Sequence, residues 1–213
     1  MTETAPFPQL KRGLVAILRG LKPSEAVAIG QAIFGAGIEA IEVPLNSPEP
    51  FASIASIVEA LPPTALVGAG TVLSAADVDG LHKVGGRLLV SPNIDTEVMG
   101  RAMQYGMVTM PGVFTPTEAF QAIRLGASAL KFFPASVLGA AGISAMRAVL
   151  PASVLVGAVG GVSDKDFAGY KAAGVTIFGL GSSLFKPNMS VDEVAARAKA
   201  AVVAWDAAFG AAG

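Results

Sequence analysis

Lys131 stands among apolar neighbours in Ala129-Leu130-Lys131-Phe132-Phe133-Pro134. An ammonium held there is costly, so desolvation lowers its pKa, and an amine nucleophile needs that shift. The plainer reading is a lysine that snorkels to a rim or pairs with a carboxylate. Glu42 is the one carboxylate of Ile41-Glu42-Val43-Pro44-Leu45. Such a group is rarely buried without a partner. Beside Lys131 it could shuttle protons, or the two could form an ion pair that only orders the core. Gly160-Gly161 and Gly181-Ser182 each end an apolar run. Glycine lets backbone N–H groups approach a phosphate closely, although both could be turn glycines without a ligand. Arg19 and Thr71 also end apolar runs. A guanidinium fork and a hydroxyl suit a substrate carboxylate, and each could equally be a rim residue bonded to backbone.

Other chemistries find no support. The chain has no cysteine and a single histidine, His82, in the polar stretch 79–83. Catalytic metal sites recruit several His, Cys or carboxylate ligands, so no metal and no cofactor are expected, and His82 reads as an exposed helix residue. A serine-type triad lacks a base. Net charge is −1 with both signs scattered, which argues against nucleic acid or a membrane surface as partner. The longest uncharged stretch, residues 60–76, contains Pro62-Pro63 and falls short of the ~20 apolar residues of a spanning helix. After Lys11 and Arg12 only residues 13–18 are uncharged, too few for a signal-peptide core. Cytoplasm is therefore the expected location.

These side chains need a frame that gathers them. A helix-closing glycine followed by a short apolar run recurs along the chain and predicts strands within 14–20, 38–46, 87–93, 107–113, 127–135 and 175–183. Two more follow proline-containing turns, at 65–71 and 154–161. Between them lie helix starts: Ser47-Pro48-Glu49 as a cap with proline at the first helical position, and capping boxes at Thr115/Glu118, Ser74/Asp77, Ser163/Asp166 and Ser190/Glu193. Eight strand–helix units predict a closed α/β fold, the (β/α)₈ TIM barrel, as one domain over residues 1–213. The 53% hydrophobic content fits strands covered on both faces. Barrel chemistry sits at the C-terminal strand ends, which selects Arg19, Glu42, Thr71, Asn93, Lys131, Gly160, Gly161, Gly181 and Ser182.

At these residues the chain resembles a known family, the pyruvate-dependent 2-keto-3-deoxy-6-phosphogluconate/galactonate aldolases. The resemblance is carried by Ala16-Ile17-Leu18-Arg19, residues 41–48 (IEVPLNSP), Gly68-Ala69-Gly70-Thr71-Val72-Leu73, Ser91-Pro92-Asn93, residues 110–118 (MPGVFTPTE), residues 129–135 (ALKFFPA) and Gly160-Gly161-Val162. These stretches run in the family's order along most of the chain. The resemblance implies a metal-independent, homotrimeric class I aldolase. Lys131 would form an imine with a C2 ketone, and Glu42 would be the general acid/base. Arg19 and Thr71 would hold the carboxylate, and Gly160, Gly161, Gly181 and Ser182 the phosphate. The partners implied are a phosphorylated keto sugar acid, pyruvate and glyceraldehyde 3-phosphate.

The family has two branches, which differ in C4 stereochemistry. Asn46 stands where the phosphogluconate branch typically carries arginine, and Val159 where it carries threonine. Both features resemble the phosphogalactonate branch of D-galactonate catabolism, with Arg19 taking over the missing arginine's function. A phosphogluconate-selective aldolase, a sugar-phosphate isomerase or epimerase, and a non-catalytic phosphosugar-binding barrel are the competing readings.

Overall fold

The computed structural model describes residues 5–211. Strands and helices alternate along them: β1 (Leu14–Ile17), α1 (Pro23–Gly35), β2 (Ala40–Pro44), α2 (Pro50–Ala60), β3 (Leu66–Gly70), α3 (Ala75–Lys83), β4 (Leu88–Val90), α4 (Thr96–Gln104) and β5 (Val108–Met110). Then come β6 (Gly112–Val113), α5 (Pro116–Arg124), β7 (Leu130–Phe132), α6 (Ala135–Arg147), β8 (Val156–Val159), α7 (Phe167–Ala172), β9 (Ile177–Leu180) and α8 (Val191–Phe209). All strand pairs are parallel, in the order β5-β4-β3-β2-β1-β9-β8-β7-β6.

The count of nine reconciles with eight predicted strands at Pro111. Proline has no N–H to give the ladder, so β5 and β6 are two segments of one stave. That stave bonds on both sides. Val90 pairs with Met110 across β4 and β5. On the other side the N–H groups of Ala129, Lys131 and Phe133 donate to the carbonyls of Thr109, Pro111 and Val113 at 3.1, 3.0 and 3.2 Å. The sheet thereby closes into the expected (β/α)₈ barrel.

Alternation along each strand separates two cores. Val15, Ala40, Leu66, Leu88, Ala129 and Ile177 belong to the smaller cluster, inside the barrel. Leu14, Ile41, Val67, Leu89 and Phe132 belong to the larger one, with Ile29, Ile33, Ile54 and Ile57 of the helices. Each such fully buried aliphatic side chain stabilises the fold by about 1.5–3 kcal/mol. The N-terminal segment closes the end where strands begin. Ala5, Phe7 and Leu10 pack on the inner cluster, and the Lys11 N–H donates to the Glu39 carboxylate at 2.7 Å.

Four capping boxes form as their spacing predicts, at Ser74, Thr115, Ser163 and Ser190. Ser47 does not cap a helix beginning at Pro48. Helix α2 begins at Pro50, after Glu49 in the left-handed region at φ 41°. The Ser47 Oγ instead accepts the Gly20 N–H at 2.9 Å, so a partner on the neighbouring loop displaces the local cap. His82 lies exposed on α3, stacked on Tyr105 at 3.9 Å. Among the described residues no helix is long and apolar enough to cross a membrane.

Candidate active site

Strand register brings the charged pair to the barrel mouth. Ala40 and Ala129 face the inner core, so Glu42 and Lys131, two residues on, face the same way nearer the C-terminal end. Both line a pocket of about 160 Å³, together with Arg19, Phe133, Val159, Gly160, Gly161, Gly181 and Ser182. Seven of the nine candidate residues thus meet in one place. Thr71 reaches the site only through Arg19. Asn93 lies outside the pocket, its carbonyl accepting the Ser91 hydroxyl at 2.7 Å.

Glu42 is 2% exposed and Lys131 6%. Burial pushes the Glu42 carboxyl up to about 7, against the opposing pull of the Lys131 and Arg19 charges. Burial likewise pushes the Lys131 amine down to about 8; Glu42 opposes that shift and Arg19 adds to it. Desolvation therefore dominates both groups and favours their neutral forms. Among the described residues no salt bridge joins them. Glu42 Oε2 is buried without a hydrogen-bond partner there, and Lys131 Nζ lies 4.6 Å from the centroid of the Phe133 ring. An ion pair that merely orders a core would have its charges joined and its oxygens satisfied.

Two glycines unselected in the sequence shape this pocket. A Cβ on Gly70 would lie 2.1 Å from Glu42 Oε2, so a side chain there would evict the carboxylate. A Cβ on Gly179 would lie 2.7 Å from a Val159 methyl and 3.0 Å from the end of Ile17. The available signal is their position, since glycine inside a strand often marks a close approach.

The rim is braced by cross-loop bonds. Gly160 and Gly161 have φ of 92° and 71°, a region costly for other residues. The Ser183 hydroxyl, beyond β9, donates to the Val162 carbonyl beyond β8 at 3.0 Å. Arg197 of α8 donates to the Ser182 and Ser183 carbonyls, each at 3.4 Å. Beyond the neighbouring strand β1, the Arg19 guanidinium donates to Asn46 Oδ1 and, at 3.4 Å, to Thr71 Oγ1. Thr71 has φ 56°, and a left-handed β-branched residue costs about 1–3 kcal/mol, a kind of strain that clusters at ligand sites.

Among the described residues no group of three or more His, Cys, Asp or Glu is placed to hold a metal ion. The groups present are a desolvated amine, a carboxyl of raised pKa, a guanidinium and two glycine loops. Together they can add a nitrogen nucleophile to the carbonyl of an anionic ligand and move protons around it.

Known proteins share this arrangement of sequence and fold. The family model described as "Aldolase: KDPG and KHG aldolase" matches residues 9–200. A protein of Rhizobium meliloti (strain 1021) named "Probable 2-dehydro-3-deoxy-6-phosphogalactonate aldolase" is 57% identical over 96% of this chain and 97% of its own length. The Escherichia coli (strain K12) protein named "2-dehydro-3-deoxy-6-phosphogalactonate aldolase" is 48% identical over 92% of this chain and 96% of its own. A solved structure described as "Native KDPGal structure" superposes with a TM-score of 0.92 at 48% identity, covering 94% of this chain and 98% of that one.

Proposed function

Because this chain belongs to the KDPG and KHG aldolase family, we propose that it is a class I aldolase that cleaves 2-dehydro-3-deoxy-6-phosphogalactonate to pyruvate and D-glyceraldehyde 3-phosphate. The carrying observation is the buried pair Lys131 and Glu42, facing one pocket with both pKa values shifted toward the neutral forms.

Neutral Lys131 attacks the C2 ketone. Glu42, in its carboxylic acid form, donates a proton as the carbinolamine loses water, which leaves an iminium at C2. The iminium withdraws electrons from the C3–C4 bond. Glu42, now a carboxylate, takes the C4 hydroxyl proton; the bond breaks, the aldehyde leaves and an enamine remains. Protonation at C3 and hydrolysis of the imine release pyruvate and restore the amine. The iminium supplies the polarisation that a metal ion supplies in other lyases. Arg19, with Thr71 beside it, receives the carboxylate. Gly160, Gly161, Gly181 and Ser182 offer backbone N–H groups to the phosphate, at the strand ends where barrels commonly bind it.

Preference for the galactonate epimer rests on the walls. Val159 presents an apolar surface to the pocket, and Asn46 leaves Arg19 as the arginine of the mouth. The close relatives' names agree with this choice. The enzyme acts as a single catalytic domain, as its unbroken strand–helix pattern suggests, assembles as a homotrimer, as its family resemblance implies, and works in the cytoplasm, as the lack of a signal-peptide core suggests.

Borohydride reduction in the presence of pyruvate, followed by peptide mass mapping, tests the nucleophile. Pyruvate should be fixed on Lys131, and modification elsewhere or nowhere would reject the mechanism. Assay of both C4 epimers tests the substrate, with kcat/KM expected to be higher for the galactonate epimer; the reverse order would reject that assignment.

A further inference from the structure

We propose that Asn46 and Ser47 form a clasp that orients Arg19 toward the substrate carboxylate, so that the loop after β2 is a positioning element for pyruvate capture. The inference rests on the assignment of that carboxylate to Arg19.

Arg19 sits on the loop after β1, beyond the ladder that would fix a strand residue. A long exposed side chain there has several rotamers open to it and loses entropy when held in one. Two neighbours on the β2 loop hold it. Asn46 Oδ1 accepts from one guanidinium nitrogen. One residue on, the Ser47 Oγ accepts the Gly20 N–H at 2.9 Å and so fixes the backbone next to Arg19. Ser47 is buried and Gly20 has φ 83°. A Cβ on Gly20 would lie 2.7 Å from Pro187. The turn after Arg19 is therefore held from two sides.

The chemistry of the tether matters as much as its geometry. Asn46 and Thr71 are neutral acceptors, and among the described residues Arg19 makes no salt bridge. They hold the side chain without cancelling its charge. A guanidinium carries five N–H donors, so two tethers leave a fork for a bidentate carboxylate contact. Displacement of Ser47 from its expected capping role has the same explanation, because its hydroxyl serves the Arg19 loop.

Pyruvate-dependent solvent exchange of the pyruvate methyl protons isolates this end of the substrate, because it needs no aldehyde partner. Asn46→Ala should raise KM for pyruvate about fivefold and leave kcat within about twofold, the scale of an exposed tether on a charged group. Asn46→Ser, too short to reach the guanidinium, should behave alike and serves if the alanine variant folds poorly. Asn46→Asp keeps the tether but neutralises Arg19, and should raise KM further than alanine. In an Arg19→Ala background, Asn46→Ala should add nothing. Additive effects, or a wild-type KM in Asn46→Asp, would overturn the clasp. If Arg19→Ala raises KM while both Asn46→Ala and Asn46→Ser leave it unchanged, the clasp fails and the carboxylate assignment stands. If Arg19→Ala leaves KM unchanged, the assignment itself fails and the clasp falls with it.

Discussion

The two ends of the barrel treat polar groups in opposite ways. Where strands begin, polar atoms are satisfied by the protein. The Ser128 Oγ accepts the Thr109 N–H at 2.9 Å and donates to the Ala5 carbonyl at 2.6 Å, and the Thr109 Oγ1 accepts the Ser128 N–H at 3.1 Å. Phe7 and Leu10 cover the inner core beside them. Where strands end, Glu42 Oε2 has no partner among the described residues, and Lys131 is desolvated without a salt bridge. A buried polar group left unpaired costs about 1–3 kcal/mol. One end of the barrel is finished as structure, and the other keeps that cost as unspent capacity for a ligand.

Substitutions at the mouth should therefore remove chemistry rather than stability. Lys131→Met should lower turnover by at least about 10⁴-fold and abolish borohydride trapping of pyruvate. Combined with Glu42→Gln, its stability in denaturant should equal or exceed that of the wild type, since neutral side chains of similar size then replace both desolvated groups. A large loss of stability would make the pair structural and erase the contrast between the ends. Glu42→Gln should lower kcat by about 10²–10⁴-fold, the range of a removed general acid/base. Gly70→Ala leaves both reacting groups in the chain but displaces the carboxylate. A misplacement on the order of 1 Å costs about 10²-fold, so kcat should fall by about that factor in steady-state assays. Retained activity would mean that Glu42 tolerates a second position.

The pair also gives the mouth a pH signature that the floor lacks. With its carboxyl raised from 4.5 to about 7, Glu42 makes the folded chain bind more protons than the unfolded chain between those values. Its contribution to stability is present below 4.5 and is lost as pH rises toward the folded pKa. With its amine lowered from 10.5 to about 8, Lys131 makes the folded chain bind fewer protons over that interval. Its contribution is present above 10.5 and is lost as pH falls toward the folded pKa. Together they should make stability lowest between these two folded values. Urea denaturation across pH should show the Lys131→Met, Glu42→Gln double variant gaining most over the wild type near pH 7 to 8. A pH-independent difference would contradict the desolvation of both groups.

The barrel is legible in the sequence because its punctuation is local. A glycine such as Gly126, left-handed at φ 74°, ends α5 and lets the apolar run of β7 begin, and neither event needs a distant partner. Lys131 and Glu42 are legible for the same reason, as charges inside short apolar strands. The features missed depend on tertiary neighbours. Gly70 matters only because Glu42 lies across from it. Ser47 reads as a helix cap until the loop after β1 presents the Gly20 N–H. Pro111 divides one stave into two segments, yet carbonyls on both sides of it still bond to β7.

The smallest effect tests the finished end. Ser128→Ala removes the acceptor of the Thr109 N–H and the donor to the Ala5 carbonyl. Thr109 is fully buried, so water cannot readily replace the lost acceptor, and the fold should lose about 1–3 kcal/mol in denaturant titration. The proposed catalytic groups, Lys131 and Glu42, lie at the opposite end of the barrel, and sites without shared partners act additively. Values of kcat and KM should therefore stay within about twofold of the wild type. Loss of activity in proportion to stability would show that the N-terminal segment and the mouth move together. Unchanged kinetics in a weakened fold would mean that the barrel's rigidity, more than its floor, holds Lys131 and Glu42 in place.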